Sequence, residues 1–168
     1  LEKYADSKYS SYWYVPYIII GALEYRNRGD LYDEVFLPEY KSKIIDFLEK
    51  EGCQILDTGT HGEESVDYPD FAHAVAEEVL MGADFGVLIC GSGNGVSMAA
   101  NKHKGVRAAL CWNEEITKLA RQHNDANIIS IPARFLSLEK SKELIKIFIK
   151  EGEQLGIYGV VIAAINIY

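Results

Sequence analysis

The chain has 168 residues, a length suited to one domain around a single buried core. Hydrophobic residues make up 48% and charged ones 25%, and the net charge of −8 argues against a nucleic-acid or anionic-membrane partner, which would reward Lys and Arg. The three cysteines, Cys53, Cys90 and Cys111, form no CxxC pair, which fits free thiols in a reducing compartment rather than a disulfide framework or a zinc site.

Residues 1–16 read as a polar, Tyr-rich arm, and 17–168 as a single α/β domain. Tyr17-Ile18-Ile19-Ile20, ending at Gly21, has the continuous apolar character of a buried parallel strand. No run of about 18 apolar residues is present to span a membrane. Residues 12–21 lack the charged start and cleavage site of a signal peptide, so the expected location is the cytoplasm. A polar loop over 24–33 precedes a helix over 38–50, with Ile44, Ile45, Phe47 and Leu48 on one face and Gly52 as its stop. A strand is expected over 53–56, then a helix entered through Asp67-Tyr68-Pro69-Asp70 and carrying Phe71, Val75, Val79 and Leu80. Residues 85–90 are the strongest strand signal and run into Gly91-Ser92-Gly93-Asn94-Gly95 and a helix over 96–101. A strand over 106–111, a helix over 113–123, a strand over 128–131 and a helix over 137–150 follow. This alternation predicts a three-layer, doubly wound, Rossmann-like sheet, mostly parallel, of about five strands flanked by helices. The terminal apolar run, Gly159-Val160-Val161-Ile162-Ala163-Ala164-Ile165, fits either an extra strand or a subunit contact.

Sites in such sheets lie at the carboxyl ends of the strands, which directs attention to Cys90. Three glycines in five residues let the backbone approach a ligand closely, and unpaired amides there suit a phosphate, a carboxylate or an enediolate oxygen. A thiolate beside such amides is equipped to take a proton from carbon next to a carbonyl. The same spacing also fits a buried structural cysteine beside a turn. The loop is neither the dinucleotide fingerprint nor a Walker motif. His123-Asn124 closes a helix. It suits either acid–base work with a hydroxyl contact or a helix end with a favourably placed imidazole. His61, His73 and His103 show no metal-ligand spacing.

Several blocks occur in a telling order: Asp57-Thr58-Gly59-Thr60, Glu64-Ser65-Val66-Asp67-Tyr68-Pro69-Asp70, Cys90-Gly91-Ser92-Gly93-Asn94-Gly95, Ala99-Ala100-Asn101-Lys102, Gly105-Val106-Arg107-Ala108-Ala109 and Arg121-Gln122-His123-Asn124-Asp125-Ala126-Asn127. Together they resemble the ribose-5-phosphate isomerase B and LacA/LacB isomerase family, over residues 44–144. The resemblance implies aldose–ketose isomerisation of a small sugar phosphate through a cis-enediolate, without metal or organic cofactor. It implies Cys90 as the base, Ser92 as a hydrogen-bonding or proton-relaying partner, and His123 as the ring-opening residue. Gly91, Gly93, Asn94 and Gly95 match the oxyanion loop, while Asn124, Tyr68 and Arg134 match contacts to the sugar phosphate. It also implies a homodimer or dimer of dimers with sites between subunits. Two segments depart from the pattern. Residues 22–33 replace the family's Gly-Ser-Asp-His-Ala-Gly-like turn, with Asp33 standing in for its Asp, and 152–168 replace a cationic tail that helps to hold phosphate. Losing those cations predicts weak binding of phosphorylated pentoses, a preference for an unphosphorylated sugar, or a silent sugar-binding homologue.

Overall fold

The computed structural model describes residues 37–59, 66–151 and 159–165. The arm over 1–16, the strand expected at 17–20, the loop over 24–33 and the candidate Asp33 lie outside these residues, as do Thr60, His61, Glu64 and Ser65.

Helix α1 (Leu37–Lys50) buries Tyr40, Ile44 and Leu48, one stripe at helical spacing. Gly52 stops it at φ +90, where the amide of Cys53 donates to Leu48 O at 3.0 Å and turns the chain into strand β1 (Gln54–Asp57). Helix α2 (Tyr68–Met81) has its proline in the first turn, where the missing N–H costs nothing. Strand β2 (Phe85–Cys90) is buried at every residue, as its unbroken apolar run requires. Helix α3 (Asn94–Ala100), strand β3 (Ala108–Leu110) and helix α4 (Glu114–Gln122) follow. Strand β4 (Ile128–Pro132), helix α5 (Leu138–Lys150) and strand β5 (Gly159–Ile165) complete the described order. The side chains of Asn113 and Ser137 cap α4 and α5 by accepting from the amides of Ile116 and Lys140.

The five strands form one sheet in the order β1-β5-β2-β4-β3, and every pairing is parallel. Helices α1, α4 and α5 cover one face, over Val87, Ile89, Ile129, Ile131 and Ile162. Helices α2 and α3 cover the other, over Leu88, Cys90, Ile128 and Val161. The expected three-layer, doubly wound α/β fold is what forms. Each fully buried aliphatic side chain in these layers contributes roughly 1.5–3 kcal/mol by leaving water.

One element differs from expectation, and the structure decides between the two readings of another. Strand β3 is shorter than 106–111: just before it Arg107 N donates to Asn127 Oδ1 at 2.8 Å, and at its first residue the Asn101 carboxamide takes both N–H and C=O of Ala108 at 2.8 Å each. The terminal apolar run is a strand, and it sits in the middle of the sheet, between β1 and β2. Its residues have to be apolar because both faces are covered.

Candidate active site

The carboxyl ends of β2, β4 and β5 meet around Cys90. In register, Cys90 lies opposite Pro132 of β4 on one side and Ile165 of β5 on the other. Beyond it the chain turns through Gly91-Ser92-Gly93 into α3. Gly93 has φ +72, a left-handed conformation that disfavours a Cβ, and a Cβ there would fall 2.5 Å from Leu110 Cδ1. The Tyr68 ring lies against Gly95, 2.9 Å from where that residue's Cβ would be, and the Arg134 side chain lies against Gly91. Ser92 Oγ accepts from Asn94 N at 3.4 Å. Cys90, Gly91, Ser92, Gly93, Asn94, Gly95, Tyr68 and Arg134 are therefore gathered at one end of the sheet.

Helix α3 is fixed at its far end. The Asn101 amide grips Ala108 as described, and Ser97 Oγ donates to the same carbonyl at 3.2 Å. This clamp carries no signal in the chain's periodicity, since Asn101 reads simply as a helix end. The buried ion pair at the end of β1 was equally invisible. Lys41 Nζ reaches Asp57 Oδ2 at 2.7 Å with its side chain only 4% exposed, and Asp57 Oδ1 accepts from Gly59 N at 3.0 Å. A lysine beside the apolar stripe of α1 is the one hint the sequence offers.

Cys90 is 1% exposed. Burial pushes its thiol pKa up, opposed by the backbone amides of Gly93, Gly91 and Ser92 and by the positive charge of Arg134. The loop therefore supplies groups that favour a thiolate without making it the favoured form. The amides and the cation are present, but desolvation outweighs them. Cys111 is buried as well and its thiol is raised to about 11, with a hydrogen bond to Thr117 acting against the shift.

His123 and Asn124 are elsewhere. His123 closes α4, and the turn after it leads into the first residue of β4. The Arg107 side chain donates to Asn124 O, and Asn127 O accepts from Gly86 N at 2.9 Å. All of these contacts lie at the amino ends of β2, β3 and β4. Four residues of strand at about 3.3 Å each separate the levels of Gly86 and Cys90, roughly 13 Å. The signal for this was in the sequence: a helix that starts after the carboxyl end of one parallel strand must finish at the amino end of the next.

Among the described residues no three His, Cys, Asp or Glu side chains group as metal ligands. His73 and His103 do meet, Nδ1 to Nε2 at 2.8 Å, a pairing across thirty residues that spacing does not reveal. No helix among the described residues is long and apolar enough to cross a membrane.

Residues 36–157 match the family described as Ribose/Galactose Isomerase. The chain belongs to that family. It is 42% identical to the ribose-5-phosphate isomerase B of Escherichia coli (strain K12) over 106 residues, covering 62% of this chain and 71% of the relative. It is 36% identical to the galactose-6-phosphate isomerase subunit LacB of Clostridium acetobutylicum, covering 68% of this chain and 66% of that one. The solved structure of Clostridium thermocellum ribose-5-phosphate isomerase B superposes with a TM-score of 0.66 at 46% identity, covering 70% of this chain and 80% of the other. This is therefore an isomerase of the intramolecular oxidoreductase type, built on the Rossmann-like sheet described above. The family match starts at 36 and stops at 157, which leaves both atypical segments largely outside it.

Proposed function

We propose that this isomerase interconverts ribose 5-phosphate and ribulose 5-phosphate, or a closely related sugar phosphate pair, with Cys90 as the base. The observation that carries this reading is a cysteine at the carboxyl end of the central strand, faced by three consecutive backbone amides. The Cys90 thiolate takes the proton from C2 of the open-chain aldose. The C–H electron pair becomes the C1–C2 double bond, and the former carbonyl pair settles on O1 as an enediolate. Amides of the glycine loop are suited to that charge because they are fixed before it develops. The thiol then returns its proton to C1, the O2 proton ends on O1, and a carbonyl remains at C2. Atoms and electrons balance within the sugar, with no oxidant or cofactor.

His123 and Asn124 reach such a sugar only from a second copy of the chain, since within one copy they are at the far end of the sheet. The proposed enzyme is a homodimer, or a dimer of dimers, in a reducing cytoplasm, each site combining Cys90 of one subunit with His123 and Asn124 of the other. Trp112 and Phe135, just past the carboxyl ends of β3 and β4, are 50% and 56% exposed, which fits apolar surface covered by a partner. One observation favours a second reading, an unphosphorylated sugar. The strand beside Cys90 is β5, and its residues Val160-Val161-Ile162-Ala163-Ala164-Ile165 bring no cation.

Incubation with D-ribose 5-phosphate in deuterated water, followed by NMR, tests the proposal. Ribulose 5-phosphate carrying deuterium, and its loss in Cys90→Ala by at least a thousandfold, is the expected result. Turnover of ribose but not of its phosphate selects the second reading. A folded protein that exchanges no C2 proton in either sugar sinks both.

A further inference from the structure

Cys90 is asked to ionise where burial resists a charge. The elements packed around it bring few titratable groups to help. Strand β5 and helix α3 contain none. Helix α2 brings Tyr68 to Gly95, and at the end of β1, beyond β5 in the sheet, Lys41 and Asp57 are bound to each other.

Arg134 is differently placed. Strand β4 leaves the sheet beside Cys90, and its exit is joined to the glycine loop residue by residue. Ala133 N donates to Cys90 O at 2.9 Å, and Arg134 N to Gly91 O at 3.1 Å. The side chain then folds back across the loop. A Cβ on Gly91 would lie 3.0 Å from Arg134 Nε and 3.2 Å from Cζ, so the guanidinium packs directly on the bare glycine and would have to give by a few tenths of an ångström to admit even a methyl group. A planar guanidinium lies flat on a bare glycine and keeps its charge at any working pH, which an ammonium on a flexible stem does less well.

We propose that Arg134, seated on Gly91, is a positioning residue for the proton shuttle: it holds a fixed positive charge beside Cys90, and position 91 is glycine so that the charge can sit there. This deepens the reading of Cys90 as the base and rests on it. Beyond whatever contact it makes with the sugar phosphate, Arg134 sets how much of the base is in its reactive form. In keeping with the geometry, its charge pulls the buried thiol toward ionisation, alongside the three loop amides.

The test is a pH titration of thiolate ultraviolet absorbance in the full chain. The Cys90 signal is the difference between each protein and the same protein carrying Cys90→Ala. Arg134→Met is expected to move the Cys90 midpoint up by about one pH unit, roughly a tenfold loss of thiolate at neutral pH. Arg134→Lys should recover most of that loss. Arg134→Gln, which keeps a long polar side chain without the charge, should shift the midpoint as Arg134→Met does, and it serves in place of Arg134→Met should that variant fail to fold. An unmoved midpoint in the folded variants overturns the inference. So does a lysine variant that behaves like the methionine one, because packing rather than charge would then be responsible. Absence of C2 exchange in the wild-type protein is a separate result. It ends the reading of Cys90 as base and leaves the titration to be judged alone.

Discussion

The two ends of the sheet are built differently. At the carboxyl end the backbone is crowded: Gly91 lies under Arg134, Gly93 against Leu110, Gly95 against Tyr68 and Gly59 against β5. At the amino end His123 and Asn124 are exposed, and Asn124 O accepts from the Arg107 side chain. A crowded end fixes atoms where charge develops in a reaction. His123 and Asn124, by contrast, stand on the surface. The comparison teaches that the two groups of proposed site residues lie at opposite ends of one sheet, too far apart within a chain to share a small substrate.

Mixing inactive subunits is the sharpest way to break that comparison. Cys90→Ala and His123→Ala proteins, each at least a hundredfold impaired alone, should regain about a quarter of wild-type activity after unfolding and refolding together. Half the dimers are then mixed, and each has one intact site of two. No recovery in an assay of the mixed dimers would mean that both residues serve one chain.

Stability should fall most when the carboxyl end is disturbed. Lys41→Ala leaves Asp57 without its buried partner and should cost about 3 kcal/mol, the low end for broken buried pairs because Asp57 is 26% exposed. Gly59→Ala should cost roughly 1–3 kcal/mol, since its Cβ would fall 2.6 Å from Ala164 N, a backbone atom of β5. Chemical denaturation of each variant measures both.

The buried thiols add an alkaline limit. Below pH 9, the ordinary value for the Cys111 thiol, folded and unfolded chains both keep this proton. Between pH 9 and about 11 the unfolded chain loses it and the folded chain does not, so stability falls as pH rises through that window. The loss should reach about 2–3 kcal/mol and should shrink in Cys111→Ala, measured as the pH dependence of the unfolding midpoint. Smallest is the amino end. Asn127→Ala removes the acceptor for Arg107 N and the donor to Gly105 O, and should cost about 1 kcal/mol with a shift of His123 signals in the NMR spectrum.

Much of this was legible in the residues. Strand β2 stands at its expected bounds because an unbroken apolar run between turn signals leaves little else possible, and Gly52 marked the end of α1 as a helix stop. Sheet order was not legible. An apolar run shows that 159–165 will be buried, but it does not say between which neighbours, because parallel strands in a covered sheet read alike. The glycine loop could be assigned to an end of the sheet from topology. His123 could have been assigned by the same rule, but the family blocks group it with Cys90 without saying that they lie at opposite edges. Side-chain pairings across many residues, Lys41 with Asp57 and His73 with His103, leave no periodic trace at all.

The position of β5 also has a consequence for how the chain comes together during synthesis. Strands β1 and β2 are made early, yet in the sheet they do not touch; the slot between them belongs to residues that leave the ribosome more than sixty residues after β2 ends. Until β5 arrives, each lacks the neighbour that pairs with it on that side, and β2 is apolar along its whole length. Such an edge invites the wrong neighbour, including a second nascent chain. The latest made of the described strands is therefore the one that joins the two parts of the sheet, and release before residue 159 should yield a chain that aggregates rather than a smaller folded domain.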